Sequence, residues 1–185
     1  MTKALDERDV ARTGGKTSHF RAEDVAASQA FRKEYEARLN LVSPDDMPFE
    51  HCADGLIKHL VHSKLNTKEC CVEAYMQFIK PGERSGKHRH MWEEIVFVVE
   101  GAGYDLHWDM QFDCLDTFKW EWAQMPKRFE WQEGDYIYIP PFTTHQHFAT
   151  AEARLIMMSN RMVKEMGFDW LDQLEPAPGF EPEQQ

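Results

Sequence analysis

Basic residues are in short supply in this sequence. Lys and Arg number 21 against 32 Asp and Glu, a formal net charge of −11. That balance excludes a nucleic-acid partner, because neutralising phosphates takes a continuous basic face. Long apolar runs are missing as well. The longest aliphatic or aromatic stretch is residues 95–99, IVFVV, against about 20 residues needed to span a bilayer, so no membrane partner is expected. The N-terminal MTKALDERDV has no apolar stretch after its charges, which gives no sign of a secretory leader. Cysteine is sparse: Cys52, Cys70, Cys71 and Cys114 show no CxxC spacing and read as reduced thiols of a cytoplasmic protein. Apolar and aromatic material is plentiful by contrast. Hydrophobic residues make up 42% of 185 residues, with six tryptophans, enough for one domain with one sizeable core.

The hydrophobic period changes once along the chain. Phe31, Tyr35 and Leu39 recur every four residues, which places them on one helix face with Glu34 able to pair with Arg38. Ser43-Pro44-Asp45-Asp46 and Pro48 end that pattern. From Cys70 onward the period is two. Val72, Ala74, Met76 and Phe78 alternate with more polar neighbours before Lys80-Pro81-Gly82 turns the chain. Residues 95–99, 104–108, 136–139 and 154–159 repeat the short β-type run between Gly or Pro punctuation. Strands at this spacing without intervening helices predict a mostly β chain, an antiparallel sandwich or barrel. Residues 164–174 are expected to add a short C-terminal helix, and the Pro- and Glu-rich end, EPAPGFEPEQQ, to be disordered. The division that follows is an N-terminal helical or irregular extension over 1–48, a barrel over 49–165, and a C-terminal helix and tail over 166–185. Residues 109–130, with Trp120, Trp122, Met125 and Pro126, fit either an extra hairpin or a lid over a pocket.

The histidines carry the chemistry. His88-Arg89-His90 on a strand puts both imidazoles on one face, because side chains alternate with period two. Glu94 shares their parity, whereas Arg89 and Glu93 have the opposite one and face solvent or a neighbouring subunit. His145 follows a segment from Gly134 to Pro140 that should carry a second strand into a turn. Three neutral imidazoles and one carboxylate form a mixed N/O set suited to one divalent transition-metal ion. His147 lies two residues beyond His145 and shares its parity, so ligand replacement, proton relay and plain packing are all open to it. His19, His51, His59, His62 and His107 have no such context and read as surface or packing residues.

Gly82-x5-His88-x-His90-x3-Glu94-x6-Gly101 matches the first motif of the cupins at every position, and Gly134-x5-Pro140 followed by His145 matches the second. Over about residues 50–165 the chain therefore resembles a small single-domain metal-binding cupin. It departs from the second motif at Phe142, where the family usually has Gly, and at Ala149, where it often has Asn. The first departure bears on the turn, since Gly there permits positive φ. The resemblance implies a cupin β-barrel, a double-stranded β-helix or jelly roll, with His88, His90, Glu94 and His145 as the metal ligands. It also implies a homodimer or higher homo-oligomer, in which the N-terminal helix could cross onto a partner barrel. The His-Arg-His and His-Gln-His pairs, with Pro140-Pro141 before the second, are similar to segments of gentisate-type aromatic-ring dioxygenases. Those are larger bicupins and lack the glutamate that Glu94 supplies.

Two side chains are candidates for moving protons: His147 and, on the strand after Gly101, Tyr104, which shares its parity with Trp108. Core packing is the other reading of both aromatics. Trp92, Trp108, Trp120, Trp122 and Trp131 all fall in the barrel region, where buried indoles suit a pocket for an apolar or aromatic substrate, or a subunit interface. The functional expectation is a mononuclear non-haem Fe(II) dioxygenase acting on a small aromatic or keto/enol organic substrate. With Mn, Ni or Zn the same set suits a non-redox lyase, isomerase or decarboxylase. The third class is a non-catalytic small-molecule-binding or sensor cupin.

Overall fold

In the computed structural model, which describes residues 18–68, 71–113, 115–116, 118–162, 166–167 and 170–181, the chain divides into two units, Met1–Arg38 and Leu39–Gln185. Cys70, Cys114 and part of the expected C-terminal helix (164–165 and 168–169) lie outside the described residues. The first unit holds helix α1 (Phe20–Glu36), which forms where Ala, Glu, Gln and Arg are concentrated. None of its residues is buried. Arg38 donates to the Glu34 carboxylate at 3.0 Å, and the Phe31 and Tyr35 rings stack at 6.0 Å, both four residues apart. Leu39 falls beyond the helix, in the second unit, where its N–H reaches Asn66 O at 2.8 Å.

Among its described residues the second unit holds thirteen strands: β1 (Phe49–Cys52), β2 (Gly55–Val61), β3 (Val72–Ile79), β4 (Lys87–His90), β5 (Glu94–Glu100), β6 (Ala102–Trp108), β7 (Met110–Asp113), β8 (Lys119–Trp122), β9 (Lys127–Gln132), β10 (Tyr136–Ile139), β11 (Thr144–Ala149), β12 (Ala153–Asn160) and β13 (Leu171–Glu175). A six-stranded sheet runs β1-β2-β3-β12-β5-β10, and a five-stranded sheet runs β13-β4-β11-β6-β9. Every pairing between these strands is antiparallel. The period-two pattern explains the sandwich. On β12, Ala153, Leu155, Met157 and Ser159 are buried and their neighbours are not; on β5 the buried row is Glu94, Val96 and Val98. These rows meet Ile79, Ile139, Trp131 and Ala149 in one apolar core drawn from both sheets. Gly101 makes the tight β5–β6 turn at φ 97°, where a Cβ would collide with the Glu152 carbonyl.

Three regions settle or correct the sequence reading. Within 109–130, β7 and β8 pair as a two-stranded hairpin, and β9 follows. Residues 171–175, expected to be helical, form β13, which adds an edge strand to the five-stranded sheet beside β4. The expected disordered tail is ordered through its described part: Ala177 is buried and its N–H donates to Ala53 O at 2.7 Å.

Candidate metal centre

Sheet register gathers the histidines. On β11, His145 pairs with His88 of β4 on one side and with His107 of β6 on the other, while His147 pairs with Asp105 of β6. Side chains directly opposite in a sheet share a face, and here that face looks into the sandwich. His90 lies two residues along β4 on the same face, and Glu94 approaches from β5 of the other sheet. Ring centroids stand 4.3 Å apart for His88–His145, 5.1 Å for His90–His145 and 5.5 Å for His145–His147. Two overlapping triads, His88/His90/His145 and Glu94/His145/His147, each bring ligand atoms within 4.8 Å of one another. All five residues are buried.

The outer nitrogen of each ring faces a fixed oxygen. His90 Nδ1 lies 2.7 Å from Trp92 O, and His145 Nδ1 lies 3.0 Å from Thr143 O. A carbonyl only accepts, so both rings donate from Nδ1 and present a bare Nε2 lone pair. His147 Nδ1 is 2.8 Å from Asp105 Oδ1, and His88 Nδ1 is 3.1 Å from Asp54 Oδ1. The Trp92 ring lies flat on His90, 4.8 Å away and 1° from parallel, and fixes its plane. Ser159 donates to Glu94 Oε2 at 2.9 Å, leaving Oε1. Four inward atoms then have no hydrogen-bond partner: Nε2 of His90, His145 and His147, and Glu94 Oε1. Each such buried group costs on the order of 1–3 kcal/mol. One cation that accepts lone pairs from nitrogen and oxygen satisfies the ligands among them together, so the residues present fit a divalent metal ion.

Electrostatics agrees with the donor chemistry at Glu94 and His145; at His88 burial would lower the ring, but the Asp54 charge and hydrogen bond raise it. Burial pushes the Glu94 carboxyl up, but the imidazoles of His90, His88 and His147 around it outweigh that and lower it. Burial and the neighbouring rings His88, His90 and His147 push His145 well below its ordinary value, which keeps it in the neutral, ligating form. Asp105 and His147 form the opposite kind of pair. Burial would raise Asp105, yet the His147 charge and hydrogen bonds from His107 and His147 bring its carboxyl down to about 2. Burial would lower His147, and the Asp105 charge and hydrogen bond raise it instead. Asp105 Oδ1 also accepts from Trp131 Nε1 at 2.8 Å.

Of the residues singled out from sequence, His88, His90, Glu94, His145 and His147 come together. Tyr104 does not. The buried side of β6 is Gly103, Asp105 and His107, and Tyr104 lies on the other face, stacked on Phe148 at 4.8 Å. A proton-moving role for Tyr104 at this centre is therefore withdrawn, and Asp105 takes its place beside His147. Trp108 is outside as well, with Lys87 Nζ 4.0 Å above its ring. Arg89 points away from the centre as expected, bound to Asp172 at 2.7 and 2.9 Å and lying 3.7 Å over Trp122. Glu93 is exposed and accepts from the Tyr138 hydroxyl at 3.0 Å. Sequence reasoning missed Asp105, Asp54 and His107. His107 is no surface residue: it is 3% exposed, with Nε2 3.5 Å from Asp105 Oδ2. The signal was its odd parity with Asp105, masked by the more apolar row Tyr104, Leu106 and Trp108.

Phe142 keeps the turn that the family makes with Gly, at φ 64°. A left-handed conformation costs an L-residue roughly 1–2 kcal/mol. The turn is held by its N–H to His90 O at 2.8 Å, by Trp122 Nε1 donating to its carbonyl at 2.8 Å, and by ring contacts to Trp120 and Trp170. It delivers Thr143 and His145 to the centre. A cavity of about 520 Å³ lies behind His88, with Asp54, Lys80, Arg84 and Ala177 in its lining; Asp54, which also contacts His88, joins it to the centre.

Residues 39–170 match the model of the family described as Auxin binding protein. No curated protein matches the chain. Among solved structures, oxalate decarboxylase from Bacillus subtilis at pH 4.6 aligns with a TM-score of 0.56 and 16% identity, over 75% of this chain and 32% of that one. A single-substitution variant of the same Bacillus subtilis enzyme aligns with a TM-score of 0.54 and 16% identity, over 68% of this chain and 30% of the other. The chain thus spans about a third of the length of those structures. At that identity the likeness shows the shared fold.

Proposed function

Because this chain belongs to the Auxin binding protein family, within the cupin superfamily, we propose that it is a metal-dependent enzyme. In this reading one divalent transition-metal ion sits on His88, His90, Glu94 and His145, and the substrate is a small aromatic or keto/enol organic acid. The observation that carries the reading is the set of buried, unpartnered atoms of His90, His145 and Glu94 converging from three strands, with His88 grouped with His90 and His145 within ligand distance. When bound, iron would bring dioxygen chemistry and a non-redox ion Lewis acidity. The chain's own part is to keep water out, to fix each ring plane through its outer nitrogen, and to hold a proton on His147. Asp105 anchors Nδ1 of His147, so Nε2 is the atom that gives or takes a proton on the substrate side. Fe(II) with dioxygen is the first form of the proposal. The Asp105–His147 pair favours a second form, a lyase or decarboxylase, since such a reaction needs a placed proton in every turnover.

One experiment separates the forms. Protein purified anaerobically is loaded with Fe(II), Mn(II) or Zn(II) and offered a panel of phenolic and keto acids with and without oxygen. Substrate-dependent oxygen uptake with iron supports the dioxygenase, and turnover without oxygen supports the lyase. Tight binding of an aromatic acid with no product under any condition contradicts an enzymatic role and leaves binding, the role in the family's name.

A further inference from the structure

Strands β9 and β10 are the terminal strands of opposite sheets, and no ladder joins them. Phe129 shows that the sandwich is open there. It pairs with Asp105 and has the parity of Trp131, so its ring faces inward with theirs. Trp131 is 3% exposed and Asp105 0%, but Phe129 is 43% exposed. An inward-facing ring keeps that much surface only where the opposite sheet does not cover it. A cavity of about 290 Å³ occupies the opening, lined by Phe129, Trp131, Tyr136, Ile137 and Tyr138 and reaching His107. The His107 ring is 4.9 Å from Phe129 and 6.3 Å from His145, and its Nε2 has only the long 3.5 Å contact to Asp105 Oδ2. From solvent to the centre the order is therefore the exposed tyrosines, Phe129, His107 and His145.

We infer that this slot is the route by which a small aromatic acid reaches the metal centre, with Phe129 and His107 as the residues that admit it. The inference rests on the metal-centre reading above. Ring faces of Phe129 and Trp131 line the passage and suit a planar substrate. The next inward position on β9, Lys127, pairs with His107 and places a cation at the rim, 2.7 Å from Asp109. Two carboxylates also line the slot, and each is engaged: Glu130 accepts from Arg128 at 2.6 Å and Asp135 from the Gln132 N–H at 2.9 Å. The cavity lined by Asp54 is the alternative route, and there Asp54 Oδ1 lies 3.1 Å from His88 Nδ1.

Removal of Co(II) from the loaded full chain by pyridine-2,6-dicarboxylate, itself a planar aromatic acid, tests the route without any assumption about turnover. The loss of the cobalt absorption is followed by stopped flow. Phe129→Trp should slow it and Phe129→Ala should speed it, each about fivefold, with equal cobalt content at the start. Leu56→Trp, in the cavity behind His88, should leave the rate unchanged. Phe129 variants that lose cobalt at the wild-type rate, or a Leu56 variant that alone slows it, overturn the route while leaving the metal centre standing. A wild-type chain that retains no cobalt overturns the metal centre and the route with it.

Discussion

Asp105 has three partners: Nδ1 of His147 and Nε1 of Trp131, each at 2.8 Å, and Nε2 of His107 at 3.5 Å. None of these is one of the four proposed ligands, so its role is to position His147. Asp105→Asn preserves the shape and removes the charge that fixes the His147 tautomer. Metal content is expected to stay at the wild-type level while turnover falls by about 10²–10⁴-fold; loss of metal in parallel would place Asp105 in ligand support instead. The same carboxyl makes a pH prediction. Its folded value of about 2 lies below the ordinary 3.8, so it binds its proton more weakly in the folded state. Its stabilisation, roughly 2 kcal/mol, is present above pH 4 and is lost as pH falls towards 2. Urea unfolding of the metal-free chain at pH 6 and pH 2.5 should show that loss, and a flat profile would contradict it. Cys52 behaves oppositely: burial first, then the Asp54 charge, raise its thiol to about 11. Alkylation of Cys52 should be slow at pH 7 and accelerate up to about pH 11, read by peptide mass spectrometry. Rapid labelling at neutral pH would contradict the burial.

At the scale of elements, the ligand strand β4 depends on β13. Leu171 pairs with His90, Asp172 with Arg89 and Gln173 with His88, and the Arg89–Asp172 pair clamps the ladder from the outer face. Removing residues 170–185 turns β4 into an edge strand and exposes its outer hydrogen bonds. The truncated chain is expected to bind metal at least about tenfold more weakly, as titration with a metal indicator would measure; unchanged affinity would show that β11 alone positions β4. This dependence was not legible in the sequence. Leu171-Asp-Gln-Leu-Glu175 has a composition that suits a helix, and only the unpaired edge of β4, a long-range feature, makes it a strand. The four proposed ligands could be picked out because their spacing converts directly into strand parity and a turn. The face of β6 was not: the Tyr104, Leu106 and Trp108 row is the more apolar one, so hydrophobic alternation pointed to the wrong side. Phe142 shows the limit in the other direction, since a turn that normally takes Gly persists with a Phe when tertiary hydrogen bonds and aromatic contacts hold it.

On the scale of the whole molecule, the sandwich keeps buried carboxylate and imidazole groups from β4, β5, β6 and β11 beside an apolar core drawn from both sheets. No helix among the described residues is long and apolar enough to cross a membrane. Helix α1 buries none of its residues within its own unit, and Phe20, Val25 and Phe31 are exposed on it. The homodimer expected from the cupin resemblance is tested by light scattering on the full chain. A mass near twice 21.8 kDa is expected, and a monomer at all concentrations would contradict it. The central claim is that the converging histidines and Glu94 hold a metal. It is tested most directly by elemental analysis of anaerobically purified wild-type protein beside His88→Ala, His145→Ala and Glu94→Gln. One transition-metal ion per wild-type chain, lost or much depleted in the three variants while their circular dichroism is retained, is the predicted result. Wild-type protein without metal, or variants that keep it in full, would contradict the account at its root.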